Sequence, residues 1–283
     1  ANASKVLGRV LNALANDFDM KLSTLSGGLK DNAIPTDAEA VVIFSDTDMS
    51  DISTPGHADI PANSAHASLQ DLISKWNQII RHECTHTDPD ICITLEPVDL
   101  PAATMADTST HTVIDVLMAY PNGVRKMSKD IAGLVQTSLN LGILSTIKPD
   151  DQSTNGMVSF KSSVRSSIGS EKDALLNSLK SLATLAGGTL TVTGDYPAWE
   201  YREDSPLRDL MVKIFKQQYG KEPVIQALHA GVECGIFASK LPGLDCVSFG
   251  PDMDDIHTTN ESMNVESVRR TWKYTLKILK ELK

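Results

Sequence analysis

Three groups of residues have types and spacing suited to chemistry. The most conspicuous is His82-Glu83-Cys84-Thr85-His86, which fits the H-E-x-x-H pattern of two zinc-binding imidazoles one helical turn apart with a glutamate base between them. Its surroundings argue against that use. Thr87-Asp88-Pro89-Asp90 follows at once, so the motif falls on the last turn of its helix, where the helix dipole favours histidine without any metal. The stripe Ile73, Trp76, Ile80 also turns His82 away from the core. The second candidate is His257, in Gly250-Pro251-Asp252-Met253-Asp254-Asp255-Ile256-His257-Thr258-Thr259-Asn260-Glu261. It follows a short apolar strand, where open α/β sheets place their sites, and it sits among carboxylates able to orient a ligating imidazole. An ordinary surface histidine beside acidic residues is the competing reading. The third group is dispersed. His229 stands at a strand end before Gly231 and a helix start, which suits either an anion contact or a packed capping turn. Arg165 closes an apolar strand, where it suits a substrate carboxylate or a surface ion pair. Asn32, ahead of Ala33-Ile34-Pro35, suits a turn.

The elements that must position these residues fall into two stretches. In residues 1–193, helices alternate with antiparallel-looking strands. A first amphipathic helix carries Val6, Leu7, Val10, Leu11 and Leu14. Strands are predicted at 21–25, 40–44, 91–95, 135–144, 157–166 and 189–193. Helices are predicted at 64–86, at 109–120 with Ser109 or Thr110 as cap and Pro121 as stop, and at 171–186 ending on Gly187-Gly188. This is an α/β sandwich, one sheet face covered by helices. Residues 194–283 change rhythm. A helix opens at Ser205-Pro206, short apolar strands are predicted at 224–228 and 245–249, a helix at 232–240, and a long helix from about 265 to the end. Strand–helix–strand–helix is the pattern of a buried parallel sheet, and this stretch is too short to close such a core without partner strands.

Composition narrows the function classes. The 283 residues are 41% hydrophobic and 22% charged, as in a packed globular protein. A formal net charge of -10 makes nucleic acid an improbable partner. No apolar run reaches the roughly 20 residues a membrane helix needs. The four cysteines form no C-x-x-C pair and read as reduced thiols, so a cytoplasmic protein is expected. Ala1-Asn2-Ala3-Ser4 leads straight into a helix, so the chain is expected to begin in mid-domain, as a truncated piece or cleavage product.

Read in order, several stretches resemble the aminoacyl-histidine dipeptidases, Xaa-His dipeptidases related to carnosinase and carboxypeptidase G2. They are Ala1-Asn2-Ala3-Ser4-Lys5-Val6-Leu7, Asp31-Asn32-Ala33-Ile34-Pro35, Pro121-Asn122-Gly123-Val124, Thr137-Ser138-Leu139-Asn140-Leu141-Gly142, Val164-Arg165-Ser166-Ser167, Gly194-Asp195-Tyr196-Pro197-Ala198-Trp199, His229-Ala230-Gly231-Val232-Glu233-Cys234-Gly235 and Ser248-Phe249-Gly250-Pro251. The resemblance implies a ferredoxin-like α/β sandwich lid domain, residues 1–193, which often dimerises. It is followed at 194–283 by the C-terminal part of a zinc-peptidase α/β catalytic domain. It also implies hydrolysis of dipeptides at two zinc ions. His257 is similar to the last metal ligand of that family. Asn32, Arg165 and His229 match positions used for the substrate peptide and its carboxylate. Gly231, Glu233 and Glu261 are expected to support the site, Glu233 at a family position to which no role is assigned. The family's His-Ser-Pro-Asp-Glu is His257-Thr258-Thr259-Asn260-Glu261 here, without the Pro and Asp. The family's early His-x-Asp ligands, its bridging Asp and the Glu-Glu pair with the general base have no counterpart in this chain, so the chain alone is expected to be inactive and to retain no zinc. The alternative is an isolated lid serving as a dimerisation module without catalysis.

Overall fold

The computed structural model describes residues 1–45, 69–147, 156–226, 233–256 and 258–282. The architecture is mixed α/β, and the contacts divide it into two compact units. The first comprises residues 1–125, 138–164 and 174–191; the second comprises 126–137, 165–173 and 192–283.

The first unit opens with α1 (Ala3–Asp17). Asn2 caps it by accepting from the Lys5 backbone N–H at 3.2 Å, and Val10, Leu11 and Leu14 form its buried stripe. Next come β1 (Met20–Gly27) and β2 (Ala38–Phe44), an antiparallel pair whose register slips between Leu22 and Thr24. The slip has a visible consequence. Met20 and Leu22 face the core on even positions, whereas Leu25 and Gly27 face it on odd ones. One extra residue in a strand reverses which face its later side chains occupy. β3 (Gly123–Met127), β4 (Val135–Ile147) and β5 (Met157–Ser166) complete a five-stranded sheet in the order β2-β1-β4-β3, with β5 also on β4.

Helices α2 (Leu69–Glu83), α3 (Asp107–Ala119) and α4 (Gly169–Leu185) share one apolar core with α1 and the sheet. Leu72 and Ile73, Ile114 and Leu117, and Leu175 and Leu179 are their contributions. The cap expected at Ser109 or Thr110 is not used. The N-cap is Ala106, with no side-chain hydrogen bond, and the Thr110 hydroxyl is buried, accepting from the Leu22 N–H at 3.2 Å. Lys5 serves the other end of α3. Its ammonium donates to the carbonyls of Leu117, Met118 (3.1 Å) and Tyr120 (2.8 Å), acceptors that a helix C-terminus leaves open.

Two strands expected here are absent. Residues 91–95 join no ladder; the Asn77 amide does a neighbouring strand's work, donating to Ile93 O at 2.7 Å and accepting from Ile93 N at 2.8 Å. Residues 189–193 likewise join no sheet.

In the second unit, α5 (Pro206–Tyr219) begins at Ser205, whose hydroxyl accepts from the Arg208 N–H, and stops at Gly220, which has φ 69°. Asp245 reinforces that start, taking the Ser205 hydroxyl at 2.7 Å and the Leu207 N–H at 2.9 Å. α6 (Glu233–Lys240) is short, and α7 (Val265–Glu281) is capped by Asn264. Met211, Ile214, Tyr274 and Ile278 form the core, and the Tyr274 hydroxyl donates to Met211 O at 2.7 Å. The expected parallel sheet is not formed among the described residues. Residues 224–226 and 245–249 join no ladder among the described residues, and the remainder of the strand expected at 224–228 lies outside them. The sequence reason is the one that made this stretch look incomplete: strands apolar on both faces need neighbours on both sides. Val224 is 82% exposed among the described residues. Within residues 192–283, β6 (Met253–Asp254) pairs with β7 (Ser262–Met263) in a ladder two residues long.

Candidate functional site

Asn32 lies in the turn between β1 and β2, in the first unit. Gly28 enters that turn at φ 69°, a left-handed conformation suited to glycine. The Ala33 N–H closes the turn on Lys30 O at 3.3 Å, and the Asn140 side chain of β4 donates to Asp31 O at 3.1 Å and Ala33 O at 2.7 Å. The Asn32 side chain is exposed and makes no hydrogen bond among the described residues.

Arg165 is the penultimate residue of β5, half-buried and engaged with neighbours. It groups with the second unit. The backbone just beyond it is tied down. The Ser167 N–H donates to Gln136 O at 3.0 Å, and the hydroxyls of Ser166 and Thr137 are 2.9 Å apart.

His257, His229 and Gly231 lie outside the described residues. The flanks of His257 are described. Asp255 has φ 52°, a conformation that Asp tolerates better than most side chains. Its carbonyl accepts from both the hydroxyl (2.7 Å) and the N–H (3.1 Å) of Thr258. One of the carboxylates around this segment is committed elsewhere: Asp252 pairs with Arg270 at 2.9 Å. Glu233 is the exposed first residue of α6, an end that favours a carboxylate. Among the described residues no group of three or more His, Cys, Asp and Glu side chains is placed to hold a metal ion.

The H-E-x-x-H segment is not a metal site in form. Helix α2 ends at Glu83, so His86 is off the helix, in the turn that follows. Both carboxylate oxygens of Glu83 are held by the Arg9 guanidinium, at 2.6 and 2.8 Å. That hydrogen-bonded pair holds the Glu83 carboxyl below its ordinary value, a poor setting for a general base.

A hollow of about 900 Å³ lies within the second unit, walled by Trp199, Met211, Phe215, Val247, Phe249 and Tyr274. Its guanidinium groups are turned to the protein. Arg208 donates to the carbonyls of Arg202 and Glu203, and Arg202 to those of Asp204 and Gly243. None of the site residues expected from sequence lines it among the described residues. Two thiols also meet in this unit without a sequence signal to announce them. Cys234 is hydrogen-bonded to Cys246, and burial together with that neighbour pushes the Cys234 thiol up to about 11.

Known proteins match along nearly the whole chain. The chain is 32% identical over 281 residues to the cytosol non-specific dipeptidase of Escherichia coli (strain K12), covering 99% of this chain and 53% of that protein. It is similar to the crystal structure of aminoacylhistidine dipeptidase from Vibrio alginolyticus, with a TM-score of 0.83 and 29% identity, over 99% of this chain and 52% of that one. The chain thus spans about half the length of the relatives it matches. No helix among the described residues is long and apolar enough to cross a membrane. Residues 19–281 match the family described as peptidase family M20/M25/M40, and the chain belongs to it.

Proposed function

We propose that this chain carries the substrate-embracing part of a metal-dependent dipeptidase acting on Xaa-His peptides. The observation that carries the reading is the similarity to two dipeptidases along 99% of the chain. In this reading Arg165 forks onto the substrate's C-terminal carboxylate, which selects short peptides. Asn32 presents an amide that both donates and accepts, matching a peptide group. His229 donates to the carbonyl oxygen as charge gathers there. Gly231, Glu233 and Glu261 shape the two loops. Residues 1–193 act as a lid and pair with a second copy, the peptide is the partner, and the protein works in the cytoplasm.

Zinc is the expected metal, and His257 is the one imidazole this chain offers it. Among the described residues, which do not include His257, no group of three or more His, Cys, Asp and Glu side chains is placed to hold a metal ion. In this proposal the other ligands and the general base belong to the half of the family's length that this chain does not span. The test has two arms. The chain alone, dialysed and assayed for zinc and for cleavage of Xaa-His dipeptides, is expected to show neither; stoichiometric zinc with turnover would overturn the proposal. In a protein of full family length carrying this sequence, Arg165→Ala is expected to raise KM for dipeptides while sparing the already poor C-terminal amides. Equal losses on both substrates would remove Arg165 from its role.

A further inference from the structure

We propose that Asn140 is a positioning residue for Asn32, fixing the backbone on either side of it so that its side chain is held ready for substrate; this rests on the reading of Asn32 as a substrate contact. Three of the family-like stretches, around Asn2, Asn122 and Asn140, had no role attached to them. In the structure their side chains form one amide network within the first unit. Asn2 donates to Leu141 O at 2.9 Å, and its amide nitrogen lies 3.2 Å from the Asn122 carbonyl oxygen and 3.4 Å from that of Asn140. Asn122 in turn accepts from Leu141 N at 2.8 Å. Leu141 thus has both backbone groups satisfied by side chains, and the Asn140 carbonyl oxygen faces the Asn2 amide. That fixes the orientation of the Asn140 amide, whose two hydrogens go to Asp31 O and Ala33 O. The opposite orientation would set its oxygen against two carbonyls.

The turn is gripped from other directions as well. A Cβ on Gly142 would lie 2.3 Å from Asp31 O, so the turn rests directly on the β4 backbone. Pro35 is buried, and its carbonyl accepts from the Ala3 N–H at 3.1 Å. Asn32 is therefore an exposed, uncommitted amide between two residues whose carbonyls are held. Such pre-organisation spares a binding group the cost of being ordered when the ligand arrives. A purely structural staple would need none of this to converge on the carbonyls flanking one exposed side chain.

Asn140→Asp tests this, since it keeps the size and removes both donors. In a dipeptidase of full family length carrying this sequence, Asn32→Ala is expected to raise KM about tenfold with little change in kcat. Asn140→Asp should raise KM comparably, and the double variant should be no worse than Asn32→Ala. In the chain as it stands, hydrogen exchange of Asn140→Asp should quicken at residues 29–35 and leave α1 and β4 protected. If Asn32→Ala raises KM and Asn140→Asp does not, the positioning role is overturned while Asn32 keeps its place. If Asn32→Ala leaves KM unchanged, the substrate role of Asn32 falls and this inference falls with it. Unchanged exchange at 29–35 overturns it independently of any activity.

Discussion

Gly8 sits in the middle of α1, where glycine costs about 0.8–1.0 kcal/mol relative to alanine by helix propensity alone. Propensity therefore favours Gly8→Ala, but packing reverses the sign. The added Cβ would lie 2.7 Å from Leu117 Cγ and 3.1 Å from its Cδ2. Ordinary carbon contacts are about 3.5–4.0 Å, so α1 and α3 would have to part by roughly 1 Å. Leu117 is 0% exposed and has no room to retreat. Overpacking of this kind costs about 1–3 kcal/mol, which outweighs the helix gain and leaves Gly8→Ala destabilising by about 1 kcal/mol. In a Leu117→Ala background, itself weakened by about 2–5 kcal/mol, the obstruction is gone and the new methyl partly fills the void. There Gly8→Ala is expected to stabilise by about 1 kcal/mol, a coupling of about 2 kcal/mol between the sites. Urea unfolding of the four proteins measures it. Gly8→Ala having the same sign in both backgrounds would refute the reasoning. The crossing also bears on function, because α3 leads through Tyr120 and Pro121 to Asn122, a member of the amide network.

Burial lowers Lys5 from 10.5 to about 8, so between those values the unfolded chain binds a proton that the folded chain does not. Stability should therefore rise with pH from about 8 to about 10.5, and the gain should be lost again as pH falls back through 8; Lys5→Met should abolish that rise, and parallel pH curves for the two proteins in chemical denaturation would contradict it. Asn77→Leu removes both tethers on Ile93 and leaves its backbone groups unpaired, costing about 1–3 kcal/mol by denaturant midpoint, with loosened exchange at 91–95 as the local sign. Thiol titration at pH 8 should label exposed Cys92 well before Cys234, whose proton is held up to about 11; equal rates would show that the Cys234 and Cys246 thiols are apart.

How far the sequence revealed the structure depended on whether the deciding contact was local. The helices followed from periodicity with local start and stop signals, as at Ser205-Pro206 and Gly187-Gly188, and the β4–β5 pairing from two long alternating runs. What escaped was set by distant partners. Thr110 reads as a cap but its hydroxyl is taken by β1, and Ile91–Leu95 reads as a strand but is paired by one side chain. β3, exposed along its length, carries no apolar alternation to announce it. The apolar strands at 224–228 and 245–249 were expected because Val, Ile and Phe favour sheets, and ladders need neighbours that no local pattern supplies. For the site, position could be proposed for Asn32 and Arg165, but the amide network that serves Asn32 joins residues more than a hundred positions apart. The weakness of the H-E-x-x-H motif was legible from Pro89, although the Arg9 clamp on its glutamate was not.

The two-rung β6–β7 ladder closes a loop whose ends are tied to the last helix. The Asn264 N–H donates to Asp252 O, and the Ser267 hydroxyl accepts from the Asp252 N–H. The β6–β7 flanks and the first turn of α7 are therefore expected to melt together. Free energy gained by any ion or peptide bound through that loop passes into the first turn of α7, where occupancy can be read as slowed amide exchange.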